Sequence, residues 1–252
     1  MRKTMIGASF ALVLAACAGG AVPGLMMATV APAATIEAAL TDARRPATDV
    51  ERDALRHPRE VLAFTGVQPG WRVADIGPGG GYYTRLFSVA VGNEGRVFAI
   101  DRPNSIGRTR PILEVAPLYP NITVVQQGYQ GWSLDEPLDV IFISQIYHDF
   151  HLSQLGIDVP RLNREMFAAL KPGGVLVIID HAAAPGSDVS VTGTLHRIDQ
   201  AQVVRELSAA GFVLEEESEL LRNPADDRSE RVFENDIRGR TDQFVLRFRK
   251  PA

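Results

Sequence analysis

The chain has a single cysteine in 252 residues, Cys17, and no surplus of positive charge, since 26 Lys and Arg stand against 30 Asp and Glu for a formal net charge of −4. The lone cysteine excludes disulfides and cysteine-ligated metal from everything that follows it, so an apolar core must hold the fold. An acidic balance, with a pI near 5.8, offers no broad basic surface to neutralise phosphates, and nucleic acid is not an expected partner. Internal repeats and low-complexity linkers are also lacking. What is there, 46% apolar and 22% charged residues, is the composition of a soluble globular protein with enough chain for one sizeable domain.

Several signatures of chemistry are absent as well. Counted from Gly77, the third glycine of a G-x-G-x-x-G dinucleotide fingerprint falls on Tyr82, and no G-x-x-x-x-G-K-[ST] phosphate loop occurs. There is no G-x-S-x-G nucleophile elbow and no H-x-x-x-H helix pair for a metal. Hydrolase and nicotinamide-dependent readings therefore lose their support, and no metal is expected.

The first residues read as a targeting segment. Arg2 and Lys3 precede an uncharged run, Met5 to Cys17, of the length used for export and too short for a comfortable membrane span. Two processing sites compete: "LAAC", ending at Cys17, has the form of a lipobox whose cysteine is lipidated, and "APAA", Ala31 to Ala34, has the form of a signal peptidase site. The expectation is a signal peptide or lipoprotein signal over residues 1–34 and a single exported, periplasmic domain over 35–252. Its only membrane contact would be a lipid anchor at Cys17.

Past Thr35 the apolar spacing predicts two N-terminal helices, "IEAALTDARR" and "DVERDALRHPREVLAFTG". Five short, β-branched runs follow: "WRVADI", "GRVFAID", "NITVVQ", "LDVIFIS" and "GGVLVIID". Helical stretches such as "YYTRLFSVAV" and "RLNREMFAAL" separate them, which is the pattern of a parallel sheet covered on both faces. A helix, "RIDQAQVVRELSAAGF", then leads to strands "VLEEESELL" and "QFVLRFRK" with only the polar segment Arg222–Asp242 between them. That pairing predicts an antiparallel C-terminal edge. The fold class is α/β, a Rossmann-like doubly wound sheet preceded by helices.

In such a sheet ligands bind outside the carboxyl ends of the strands, where the strand order reverses. The first strand ends in "VADIGPGGGYYTRLF", with Asp75 two positions before Gly77 and further glycines at 79 and 81. This D-x-G-x-G-x-G turn resembles motif I of the class I S-adenosylmethionine-dependent methyltransferases. There the acidic residue lies near the cofactor's methionine ammonium, and the glycines let the backbone pass close. Asp101, 26 residues on at the tip of the second strand, is similar in place to the acidic residue that takes both ribose hydroxyls. "ALKPGGVLVIID", Ala168 to Asp180, resembles the family's entry into strand five. After the third strand the family often has an acidic residue for the adenine amino group, whereas this chain has Gln126-Gln127-Gly128; a Gln127 carbonyl oxygen is able to accept instead.

The resemblance implies S-adenosyl-L-methionine as cofactor and methyl transfer to a small-molecule acceptor at a hydroxyl or other heteroatom. His148-Asp149, in "SQIYHDFH" after the fourth strand, is similar to the His-Asp step of small-molecule O-methyltransferases, whose histidine is the general base. An ordinary imidazole titrates near neutrality, which suits that role. The other reading of the pair is structural, His148 bonding backbone and Asp149 capping the next turn. His181 and His196 are placed on the same rim. The whole chain resembles exported bacterial methyltransferase-like proteins with a "YHD" stretch and an "hRID" helix start, here at residues 147–149 and 196–199. Because the cofactor is made in the cytosol, a second class stays open: a non-catalytic exported ligand-binding protein on a repurposed methyltransferase fold.

Overall fold

The computed structural model describes residues 33–103 and 111–252. Cys17 and the body of the expected signal segment lie outside the described residues. Seven strands form one sheet: β1 Arg72–Ile76, β2 Arg96–Ile100, β3 Ile122–Val125, β4 Leu138–Ser144, β5 Leu170–His181, β6 Val213–Ser218 and β7 Gln243–Arg249. Their spatial order is β3-β2-β1-β4-β5-β7-β6. Strands β1 to β5 pair in parallel, and β1 contacts both β2 and β4, so the order reverses between β1 and β4. That is the doubly wound arrangement, with its ligand crevice at the carboxyl ends of β1, β2 and β4.

Period-two alternation sends each strand's side chains into two separate cores. Val73, Val97, Val140, Phe142 and Val177 pack on one face, and Ala74, Ile76, Ile141, Ile143 and Ile178 on the other. Helices close both faces. In chain order they are α1 Ala33–Leu40, α2 Ala47–Val50, α3 Asp53–Arg56, α4 Pro58–Thr65, α5 Tyr82–Val91, α6 Pro111–Val115, α7 Val159–Ala169, α8 Val191–Leu195 and α9 Gln200–Ala209. No helix among the described residues is long and apolar enough to cross a membrane.

Two local expectations change and one holds. The second N-terminal helix is broken into α2, α3 and α4, because His57 takes a left-handed conformation (φ 44°) ahead of Pro58, and a residue before proline is pushed out of the right-handed helical region. The antiparallel edge pair is present, with β7 antiparallel to both β5 and β6. Within the pair β7 lies inside β6: its first six residues are buried, whereas the acidic face of β6 is largely exposed. Finally, α9 begins only at Gln200, with the Asp199 carboxylate accepting from Ala201 N as its cap. Arg197 and Ile198 precede it, and Ile198 bridges to Ala182 in parallel.

Candidate active site

The glycine turn lies between β1 and α5, where Gly77, Gly79 and Gly81 all have positive φ (73°, 53° and 76°). Gly77 also needs its missing side chain, since a Cβ there would sit 2.5 Å from Ile146 Cδ1. Gly79 faces open space, with nothing within 4 Å of where a Cβ would be, so backbone is bare to the crevice at that point. Asp75 does not stand in the open beside it. Its carboxyl is 3% exposed beneath the turn, where Thr84 Oγ1 donates to Oδ2 at 2.5 Å and so ties β1 to α5. Burial raises its pKa to about 6, against the opposing effects of the Thr84 bond and the Arg56 charge.

Asp101 follows β2 directly, one step beyond Ile100, whose carbonyl accepts from Gly77 N. The glycine turn and this carboxylate are thereby neighbours on the crevice edge. Asp101 is half-buried; Oδ1 accepts from Arg102 N at 2.7 Å, and its backbone carbonyl accepts from Gly128 N. Gln127 is exposed on the adjoining loop, its Oε1 accepting from Ser133 N at 3.3 Å. A cavity of about 430 Å³ opens there, lined by Arg102, Gly128, Tyr129 and Ile157 among others.

The His148-Asp149 pair sits on a single 3₁₀ turn, His148–His151, after β4. His148 is buried, and Asp180 at the end of β5 grips it twice: Oδ2 accepts from His148 N and Oδ1 bonds Nδ1, each at 2.7 Å. The same Asp180, wholly buried, accepts from His181 N. On the far side His148 Nε2 lies 3.2 Å from Asp149 Oδ1. Two carboxylates flank one ring, so both nitrogens carry protons. Burial, the largest influence, works against the charged form, but the Asp180 charge and the bonds from Asp149 and Asp180 outweigh it and raise the pKa to about 10. His148 is an imidazolium at neutral pH. For His148 to act as the general base that the resemblance implies, this proton has to leave the ring first.

His196, left-handed at φ 54°, extends the chain of contacts. Nδ1 lies 3.2 Å from Asp149 Oδ1 and Nε2 lies 3.3 Å from Arg231 Nη2. An arginine only donates, so Nε2 accepts and Nδ1 holds the proton directed at Asp149. Donor atoms of His148, Asp149 and His196 fall within 4.8 Å of one another, the spacing of a metal centre. His181, beside them, is buried with Nδ1 on Thr241 Oγ1, and burial lowers its pKa to about 4, leaving it neutral.

A second cavity, about 500 Å³, opens over the carboxyl ends of β4 and β5 and reaches Tyr83 of α5. Ser144, Gln145, Ile179 and His181 form its floor, and residues of α3 and of the segment before β7 form its walls. It lies on the His148 side of the glycine turn, where an acceptor would meet a ligand held in the crevice.

Comparison with known proteins fits this geometry. Residues 58–184, which carry the glycine turn, Asp101, His148 and Asp180, match the model of the protein-L-isoaspartate(D-aspartate) O-methyltransferase family. The chain belongs to that family. It is 33% identical over 119 residues to protein-L-isoaspartate O-methyltransferase 1 of Arabidopsis thaliana, covering 44% of this chain and 46% of that one. It is 32% identical over 192 residues to the ubiquinone/menaquinone biosynthesis C-methyltransferase UbiE of Vibrio campbellii, covering 75% and 65%. The matches thus span about half to two thirds of these relatives. Among solved structures, a SAM-dependent methyltransferase from Aquifex aeolicus superposes with a TM-score of 0.57 at 22% identity, over 87% of this chain and 98% of that one. Fibrillarin of Aeropyrum pernix, with S-adenosyl-L-methionine natively bound, gives 0.50 at 16% identity, over 73% and 71%. These likenesses concern the fold.

The residues present suit S-adenosylmethionine as a cofactor: bare backbone at Gly79 and a carboxylate at Asp101 follow the ends of β1 and β2. Sequence patterns gave no role to three side chains that shape the site, although the "hRID" resemblance includes one of them. Asp180 is visible only as a strand end, yet it clamps His148. Arg56 sits in a helix pattern, 89 positions from the Gln145 carbonyl to which it donates at 2.9 Å. Arg197, from the "hRID" stretch, is wholly buried and makes a bidentate pair with Asp226 at 2.8 and 3.0 Å. It pins the polar segment before β7 over the site.

Proposed function

We propose that the chain transfers a methyl group from S-adenosylmethionine to a small-molecule acceptor seated over the ends of β4 and β5. The observation that carries this reading is that Ile146, which packs against Gly77 of the glycine turn, directly follows Gln145 in the lining of the 500 Å³ cavity. Bound cofactor supplies an electrophilic methyl on a sulfonium. The chain's own part is to hold the acceptor's attacking atom in line and to keep water away, which is where most of the rate of a two-substrate transfer arises.

His148 acts here as a positioning residue. Its ring fixes Asp149 and, through Asp149, His196, whose ring packs 4.9 Å from Phe233 of the cavity wall. The acceptor then attacks through a heteroatom that needs no proton removed by His148, such as an oxyanion, a thiolate or a neutral amine. Export of the domain, with Cys17 as a lipid anchor, is part of the same proposal and rests on the basic and apolar segment at residues 2–17; activity of a C-terminal fusion restricted to a cytosol-only reporter would remove it.

Calorimetric titration of the full chain with S-adenosylhomocysteine tests the core of the reading. Micromolar binding that Asp101→Ala loses is expected. A folded protein that shows no binding would sink methyl transfer and leave a ligand-binding protein on a methyltransferase fold.

A further inference from the structure

The cavity over β4 and β5 is lined with positive charge and contains no acid. Arg52, Arg56 and Arg238 border it, and neither Asp nor Glu does, in a chain where acids outnumber bases 30 to 26. His181 adds no charge, being neutral.

The pairing of these arginines is more telling than their number. The four buried arginines among the described residues all have carboxylate partners: Arg45 with Asp53, Arg85 with Asp49, Arg197 with Asp226, Arg247 with Glu215. Arg56 is half-buried and has no carboxylate within 4 Å among the described residues. It donates to the neutral Gln145 Oε1, and its guanidinium stacks 4.8 Å from the Tyr82 ring and 5.7 Å from the Tyr83 ring. Burial depresses its pKa, the sign of a cation desolvated without a full counter-charge. Arg238 and Arg52 lie exposed at the cavity's edge; Arg238 forms no ion pair among the described residues, and Arg52 shares Asp49 with Arg85. A desolvated guanidinium facing empty space is complementary to a planar or tetrahedral anion, which it binds through paired N–H donors.

The rest of the wall is apolar. Leu55 and Phe233 are half exposed, at 50% and 49%, and both border this cavity. Val232 and Leu221, buried behind them, complete the surface. A volume of about 500 Å³ lies in the range that takes one small organic ligand.

We infer that the acceptor is a small organic anion, with a carboxylate or phosphate read by Arg56 and Arg238 and an apolar body against Leu55, Val232 and Phe233. This deepens the methyl-transfer proposal by naming its acceptor class, and it rests on that proposal. One alternative source of the anion exists within the same reaction, the carboxylate of the cofactor's methionine, and the experiment separates the two.

The test uses the full chain and calorimetric or thermal-shift titration with benzoate and phenyl phosphate, with benzamide as the neutral match and S-adenosylhomocysteine as the cofactor probe. Benzoate or phenyl phosphate should bind at least tenfold more tightly than benzamide, the advantage shrinking as salt is raised. Arg238→Ala should remove most of that advantage while leaving S-adenosylhomocysteine affinity within about twofold, and Arg238→Lys should restore part of it. Arg56→Gln should weaken both anions and leave benzamide unchanged. Equal binding of benzoate and benzamide would overturn the inference. So would loss of S-adenosylhomocysteine affinity in Arg56→Gln with every probe unaffected by Arg238→Ala, which would assign the site to the cofactor's carboxylate. Anion binding without any S-adenosylhomocysteine binding would instead remove the methyl-transfer reading and keep the anion site.

Discussion

Replacing His148 with glutamine gives the sharpest test of the charge state on which the site depends. In the native protein the ring stands between Asp180, 2.7 Å from Nδ1, and Asp149, 3.2 Å from Nε2. Its pKa rises from 6.5 unfolded to about 10 folded. A raised pKa means that the folded state binds the proton more tightly, so the stabilisation is complete below pH 6.5 and is lost as pH climbs toward 10. At 1.36 kcal/mol per pH unit the whole shift corresponds to about 5 kcal/mol, and breaking a buried ion pair costs about 3–5 kcal/mol. The expected stability gap between the wild type and His148→Gln is therefore about 3–5 kcal/mol at pH 6. It should shrink by about 1.4 kcal/mol per pH unit above 6.5, to about 0–1.5 kcal/mol at pH 9. Urea unfolding of both proteins at pH 6, 7.5 and 9 measures it. A gap of one size at all three values would mean that the ring is neutral and merely packed, with no proton to lose before it acts as a base.

Other consequences concern the turn and the strap above it. Asp75→Asn keeps an acceptor for Thr84 but drops a charge whose folded pKa is pushed up to about 6. Stability at pH 7.5 should rise by about 1–3 kcal/mol and stay unchanged at pH 4, and a loss at pH 7.5 would contradict the burial argument. Gly77→Ala sets a Cβ against Ile146 at a φ of 73°; a cost of about 1–3 kcal/mol is expected, read as a lower Tm that Ile146→Ala partly restores. Arg197→Met leaves Asp226 buried and unpaired, for a loss of about 3–5 kcal/mol in denaturant melts. Adding Asp226→Leu should recover most of it, and failure to do so would show that the backbone bonds to Ala182 and Glu230 matter more than the ion pair.

Much of the framework was legible in the chain because its causes are local. Strand β4 and helix α5 fall on the stretches expected for them, since apolar periodicity and the glycine turn are short-range properties of the backbone. The break at His57 shows the limit of that reasoning, because helical spacing persists through a Pro58 that interrupts the helix. The turn at 77–81 and the carboxylate at Asp101 are picked out by resemblance to the family's motifs, and the parallel register of β1 and β2 brings the two strand ends side by side.

What the residues do at the rim was decided only in three dimensions. His148 is a neutral-pH imidazole by type, and it becomes a cation because β5 ends on Asp180, 32 positions away, directly beneath it. Asp75, an exposed acid by composition, is folded under α5 by Thr84. The cavity over β4 and β5 joins α3, the tips of those strands and the segment before β7, which lie far apart along the chain. Conformational preference travels through neighbouring bonds, but charge state and cavity shape depend on which distant groups share one desolvated volume, and only the tertiary fold brings those groups together.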